Sequence, residues 1–160
     1  MIYIKLFENF MDEYTKVNHE YDRKKIEFDK EKNNALSVVR DKYLFILDDL
    51  LQSVKDKYKE IERGYDSNTS YTSFIYKFDV PISDIKDFEK EIELFEGRLK
   101  KMLPEFYTLY DNEFLTSSKT IIGAKGHESL GSLFRFCNEY SGMSSSPGPI
   151  TITIKIIPNS

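Results

Sequence analysis

The sequence predicts an α+β fold: a long N-terminal helix, as a coiled coil or a helical hairpin, followed by a small α+β head with a short, mainly antiparallel sheet. Three observations support this. No Gly or Pro precedes Gly64 in a charge-rich segment. Early apolar residues recur at alternating gaps of four and three. Residues 71–80 and 150–157 alternate between apolar and polar, as strands do. We therefore divide the chain into a helical segment, 1–63, a linker, 64–70, and a small α+β domain, 71–160.

The apolar repeat of the first third follows the a and d positions of a heptad pattern. Lys24, Glu31 and Lys42 interrupt it. Sixty helical residues would extend about 90 Å, and each large apolar side chain left in water forgoes roughly 1.5–3 kcal/mol. We therefore expect this face to pair with a second copy, as a homodimer, or with the chain folded back on itself. The residues expected to make the contact are Phe7, Phe10, Tyr14, Val17, Tyr21 and Phe28.

The charged middle of this segment leaves both arrangements open. Opposite charges four residues apart, such as Glu20 and Lys24, support an unbroken helix in water. Asn33 and Asn34 could instead form a turn between antiparallel helices. We favour the unbroken helix, because turns between helices more often contain Gly and none occurs here.

The head follows from local patterns. Gly64 suits a helix C-cap, and a strand over 71–80 ends at Pro81. Apolar residues spaced by three and four predict a helix over 84–103, and a second helix is expected over 128–140. Between them, residues 106–110 and 114–117 suggest two short strands about a turn at Asp111 and Asn112. Residues 150–157 give the clearest strand.

Charge and cysteine content exclude several classes of protein. Residues 1–63 carry 13 basic and 14 acidic groups and residues 64–160 carry 10 and 13, so neither part offers a broad positive field for a phosphate backbone. The single cysteine, Cys137, excludes an intrachain disulfide framework and indicates a reducing, cytoplasmic location. No apolar run approaches the roughly 18 residues that cross a bilayer, so we expect no membrane association.

We expect no metal, no cofactor and no catalysis. The two histidines, His19 and His127, are far apart in sequence and only one thiol is present, whereas a zinc site needs three or four close ligands. No acid–base pair, activated nucleophile or cofactor loop is recognisable.

One glycine motif suggests an alternative. The segment Gly123-Ala124-Lys125-Gly126, followed by a predicted helix, resembles the GxxG loop of KH domains, and the order of predicted elements is similar to the bacterial-type KH arrangement. The resemblance implies a nucleic-acid-binding module that uses Gly123, Lys125 and Gly126. An ordinary Gly-rich turn before a helix is the other interpretation.

The aromatic content favours protein contacts. The chain has 12 Phe and 11 Tyr, and Tyr107, Tyr110, Phe114 and Phe136 lie outside the periodic stripes. Aromatic residues commonly anchor protein interfaces. We therefore expect a non-enzymatic interaction or assembly protein that forms a homodimer through its N-terminal helices and binds a protein partner through these four residues of the head.

Overall fold

The computed structural model describes residues 2–66, 73–115, 121–127, 131, 134–135 and 149–159, with the backbone alone for 2–8, 114–115 and 121–127. The chain divides into two compact units, Met1–Tyr43 and Leu44–Ser160. The fold class is α+β as predicted, because a long N-terminal helix precedes an antiparallel sheet and a further helix.

Helix α1 runs without interruption from Ile2 to Leu50. Its 49 residues correspond to about 75 Å of helix. The helix passes through Asn33 and Asn34, so the predicted unbroken helix is confirmed at this point and the alternative turn is wrong. A stretch without Gly or Pro has no residue that would break the helical hydrogen-bond ladder.

The predicted helix is wrong beyond Leu50. A short helix α2, Gln52–Lys55, comes next, and strand β1, Lys59–Asp66, replaces the last part of the predicted helix and the start of the predicted linker. Gly64 is therefore not a helix C-cap, because it lies opposite Ile75 of strand β2, Ser73–Val80. Pairing with β2 overrides the helix propensity of this Lys- and Glu-rich stretch, since local propensity is weak against a sheet ladder.

The sheet has five strands in the order β1-β2-β5-β3-β4, and every neighbouring pair is antiparallel. The predicted strands over 71–80 and 150–157 are confirmed as β2 and as β5, Ile150–Pro158. These two strands pair at the centre, from Phe74 opposite Ile156 to Val80 opposite Ile150. The remaining strands are β3, Phe106–Leu115, and β4, Ile121–His127.

Strand β3 corrects a second prediction, since one continuous strand replaces two short strands about a turn. Asp111 and Asn112, which suggested the turn, are both buried within β3. The register with β4 shifts between Tyr110 and Asn112, which marks a bulge at this point. An ion pair of 2.5 Å between Asp111 Oδ2 and Lys155 Nζ compensates the buried carboxylate. The Asp111 carboxylate is thus accommodated inside a strand, beside a bulge, by a neighbouring cation.

The core lies on one face of the sheet. A 3₁₀ turn, Ile82–Asp84, leads into helix α3, Ile85–Met102, which confirms the predicted helix over 84–103. Phe88 of α3 contacts Phe78 of β2 and packs edge-on against Tyr58, with ring centroids 6.2 and 5.0 Å apart. The predicted helix over 128–140 lies mostly outside the described residues, although Gly131, Phe134 and Arg135 are helical.

The end of α1 is tied to the sheet by a cluster of charges around Asp48. Its Oδ1 accepts hydrogen bonds from Lys55 at 3.1 Å and from the Tyr76 hydroxyl at 3.2 Å, and its Oδ2 lies 2.6 Å from a guanidinium nitrogen of Arg63. Lys55 also forms an ion pair of 3.2 Å with Glu60 Oε2, without hydrogen-bond geometry. The cluster therefore joins α1, α2, β1 and β2.

Candidate functional site

The first candidate site is the apolar face of α1 within Met1–Tyr43. Side chains three and four residues apart lie on the same side of a helix, so the predicted contact residues form one strip, which we call the α1 seam. Its side chains are 56–68% exposed where the structure describes them. The members are Phe10, Tyr14, Val17, Tyr21 and Phe28, and Phe7 shares their register although its side chain lies outside the described part.

Exposure is not general along α1. Leu44, Leu47 and Leu50, which belong to the second unit, are at most 9% exposed. Within the seam, Phe10 and Tyr14 stack on each other with ring centroids 6.1 Å apart, which covers only part of each ring. The apolar residues at the end of α1 are thus buried within the second unit, whereas those of the seam remain in water. An exposed apolar strip of this kind is typical of an interaction site.

Charged residues lie within the register of the seam and beside it. Lys24 donates to Glu20 at 2.9 Å, and this hydrogen bond lowers the pKa of Glu20 below its ordinary value. The sequence analysis used such charges as support for an unbroken helix and did not assign them to the positions beside the seam, which include Glu20, Lys25, Glu27 and Lys32. Extending the heptad assignment from the apolar positions to their neighbours would have done so. These charged side chains are all exposed. A second chain could therefore contact them.

The aromatic residues predicted as contacts of the head do not form one surface. Tyr107 is 42% exposed. Tyr110 is fully buried, so its prediction as a surface contact is wrong. Strand alternation explains the difference, because Tyr110 points to the covered face of the sheet and Tyr107 to the other. The side chain of Phe114 and the whole of Phe136 lie outside the described residues.

Tyr110 belongs instead to a polar cluster in the core. Its hydroxyl donates to Glu96 Oε1 at 2.5 Å, and the Thr108 hydroxyl donates to the same oxygen at 2.7 Å. Burial, with the Glu96 carboxylate beside it, raises the pKa of Tyr110 far above its ordinary value. A phenol that holds its proton so firmly is a hydrogen-bond donor rather than a base, so this cluster fixes α3 to β3.

The opposite face of the sheet is polar. Lys77 pairs with Glu62 across β2 and β1, and the Thr151 hydroxyl donates to Asp79 Oδ1 at 3.1 Å. Such cross-strand pairs stabilise a sheet. Tyr107 lies on this face, opposite Ile157 of β5. Of the two predicted head contacts whose side chains the structure describes, Tyr107 is exposed and Tyr110 is buried.

The GxxG segment is a strand, and the predicted loop there is wrong. Gly123 lies opposite Glu113 and Ala124 opposite Asn112, within the pairing of β4 with β3. Lys125 and Gly126 continue the same strand. The backbone of a paired strand donates its hydrogen bonds to its neighbour, so it does not offer the turn that the KH resemblance implies. Nucleic-acid binding remains a prediction, but the loop that it was expected to use is a strand.

A cleft of about 450 Å³ lies beside the start of α3. Two ion pairs lie in its lining, since Lys57 pairs with Glu91 and Lys90 lies 2.9 Å from Asp87. The remaining charged residue of the lining, Asp84, accepts a hydrogen bond from the Ser83 hydroxyl at 2.7 Å. The part of the chain that the structure describes contains no group of three or more His, Cys, Asp or Glu placed to hold a metal ion.

These features define the class of protein: an α+β protein whose long N-terminal helix exposes an apolar seam. Comparisons with protein-family models, with curated proteins and with solved structures give no match. Among the described residues, no helix combines the length and apolar character that crossing a bilayer requires.

Proposed function

We propose that the protein is a non-enzymatic assembly protein that forms a homodimer through the α1 seam and binds a protein partner through its head. The observation that carries the proposal is the exposure of five large apolar side chains at heptad spacing on one unbroken helix. A reducing, cytoplasmic setting fits a chain with one cysteine.

A second copy is the occupant that the seam suits best. The unbroken helix excludes a fold-back at Asn33 and Asn34, and an identical seam is available on every other copy. Closed pairs of identical chains are the commonest soluble oligomers. Burying the exposed area that remains on each seam residue contributes about 1–2 kcal/mol. Ten such residues in a dimer together exceed most of the range of about 4–15 kcal/mol that association costs.

Sedimentation equilibrium of the full chain tests the proposal, with a mass of twice 18.8 kDa as the expected result. Two substitutions sharpen the test: Tyr21→Lys in the seam and Ile26→Lys outside it, at side chains that are both 68% exposed. We expect Tyr21→Lys to raise the dimer dissociation constant about 100-fold, because both copies lose a buried ring. Ile26→Lys should leave it unchanged. Equal effects of the two changes, or a monomeric full chain, would contradict the proposal.

Partner binding by the head is supported by Tyr107, since its ring is half-exposed on the face of the sheet that lies opposite α3. A Tyr107→Ala change should weaken binding of a partner isolated with the native chain, while the mass of the homodimer stays the same. If every such partner remained bound as tightly, the contact surface of the head would lie elsewhere.

A further inference from the structure

The charged residues beside the α1 seam follow a regular plan. With Tyr14, Tyr21 and Phe28 at a positions and Phe10 and Val17 at d positions, the flanking g and e positions are fixed. The g positions hold acidic side chains at Glu13, Glu20, Glu27 and Asp41, and the e positions in the middle of the helix hold Lys25 and Lys32. One flank of the seam is thus acidic and the other is basic in its centre.

We infer that two copies of α1 pair in parallel and in register, so that Glu20 and Glu27 of each chain contact Lys25 and Lys32 of the other. The inference rests on the homodimer proposed above. In a parallel two-stranded coiled coil, a g residue lies beside the e residue five positions later in the other helix. Glu20 then meets Lys25 and Glu27 meets Lys32, and the twofold symmetry makes each contact twice.

An antiparallel pair reverses this balance. Its g residues lie beside g residues and its e residues beside e residues, so Glu would face Glu and Lys would face Lys along both flanks. Only the charged residues at a and d positions, Lys24, Glu31 and Lys42, would gain, because one register can bring a Lys of one chain next to Glu31 of the other. The antiparallel pair thus has two attractive contacts and like charges along its flanks, whereas the parallel pair has four attractive flank contacts. The charges therefore favour the parallel alignment.

The parallel alignment also tolerates Lys24 and Glu31. Lys24 is held by Glu20 of its own chain at 2.9 Å, and its long stem can carry the ammonium group to the edge of the seam. Glu31 would lie next to Lys32 of the partner subunit, at the neighbouring e position. A polar residue at a core position of a coiled coil costs stability but can specify the register of the helices.

Parallel pairing has a consequence for the head. Both copies of residues 44–160 would continue from the same end of the paired helices. One dimer would then carry two identical binding surfaces, and binding of a two-site partner at the second would become intramolecular once the first is occupied. The function of the helix would thus be to bring two copies of the head into one dimer.

Cysteine cross-linking distinguishes the two alignments. We would place Val17→Cys and Val38→Cys, both at exposed d positions, one at a time in the full chain with Cys137→Ser. A disulfide needs Cα atoms closer than about 7 Å, so in a parallel, in-register dimer both variants form a disulfide between copies. The two positions are about 31 Å apart along the helix, so in an antiparallel dimer at most one of them can.

Exchanging the charges gives an independent test. The double change Lys25→Glu/Lys32→Glu should raise the dimer dissociation constant at least about tenfold, because four attractive contacts become repulsive. Adding Glu20→Lys/Glu27→Lys should restore dimerisation, since each contact again joins opposite charges. Lys16→Glu/Lys30→Glu is the matched control: it makes the same change of net charge away from the seam and should have little effect.

The outcomes separate the two proposals. A dimer in which only one cysteine cross-links, or in which the fourfold exchange fails to restore association, would overturn the parallel alignment and leave the homodimer standing. A full chain that stays monomeric at every concentration would overturn the homodimer and, with it, the alignment.

Discussion

Tyr110 is a single residue whose chemistry depends on its position in the sheet. Its ring is fully buried, and its hydroxyl donates to Glu96 at 2.5 Å. Tyr110→Phe keeps the ring and removes the donor, so we expect the free energy of unfolding in urea to fall by about 1.5–3 kcal/mol, the usual contribution of a hydrogen bond to a charged group. Tyr107→Phe, which alters a half-exposed ring, should change it by less than about 0.5 kcal/mol. Equal losses would show that the buried hydrogen bond is not the cause.

The same residue predicts a dependence of stability on pH, which it shares with Tyr76. Burial raises the pKa of both phenols above the ordinary value of about 10, and the carboxylates of Glu96 and Asp48 add to the effect. The folded state therefore holds these protons more tightly than the unfolded state does. Their contribution to stability is complete below about pH 10 and is lost as the pH rises above it.

Urea unfolding at successive pH values from about 9 to about 11.5 measures this loss. Each phenol should add a slope of up to about 1.4 kcal/mol per pH unit above pH 10. The Tyr76→Phe/Tyr110→Phe variant, which has no buried phenol at these positions, should show a shallower decline. Parallel curves for the two proteins would mean that neither phenol resists ionisation in the folded state.

At the scale of elements, the junction of α1 with the sheet depends on Asp48, which contacts Lys55, Arg63 and Tyr76 from three other elements. Asp48→Asn keeps the size of the side chain and removes its charge, so we expect a loss of about 1–3 kcal/mol in the free energy of unfolding. Asp49→Asn is the control, since its side chain is exposed. Circular dichroism during urea unfolding provides the comparison, and similar losses from both changes would exclude a special role for the Asp48 cluster.

Elements with a strong period of their own were predicted correctly: α1 through Asn34, α3, β2 and β5. Their apolar residues repeat at helix or strand spacing over at least two turns or four alternations, which is a local property. The errors occurred where a neighbouring strand decides the structure. Residues 59–66 are rich in helix formers but pair with β2. Asp111 lies inside β3, beside a bulge, where Lys155 compensates its carboxylate. Sequence spacing does not reveal those partners.

The candidate site shows the same division. The seam residues could be found from sequence because heptad spacing is local, and the structure describes them as exposed. The head residues could not, because Tyr107 and Tyr110 look alike in sequence and only the direction of β3 separates a half-exposed ring from a buried one.

At the scale of the whole molecule, the two units differ in how their apolar residues are covered. In Leu44–Ser160, apolar side chains from α2, from α3, from the last turns of α1 and from one face of the sheet are buried together. The seam of Met1–Tyr43 stays in water. The boundary between the units therefore lies inside a continuous helix, about 20 residues before the boundary that composition suggests. Two truncated chains can distinguish these positions.

A chain of residues 44–160 should fold and unfold cooperatively, and it should be monomeric at concentrations where the full chain is dimeric, because it keeps its core and lacks the seam. A chain of residues 64–160 should fail to fold. It loses five side chains that are at most 7% exposed, Leu47, Leu50, Leu51, Val54 and Tyr58. At roughly 1.5–3 kcal/mol each, their loss matches the entire stability of about 5–15 kcal/mol that a domain usually has. Urea unfolding and sedimentation of both chains provide the test: a dimeric 44–160 chain would place the interface in the head, and a stably folded 64–160 chain would show that the end of α1 is dispensable.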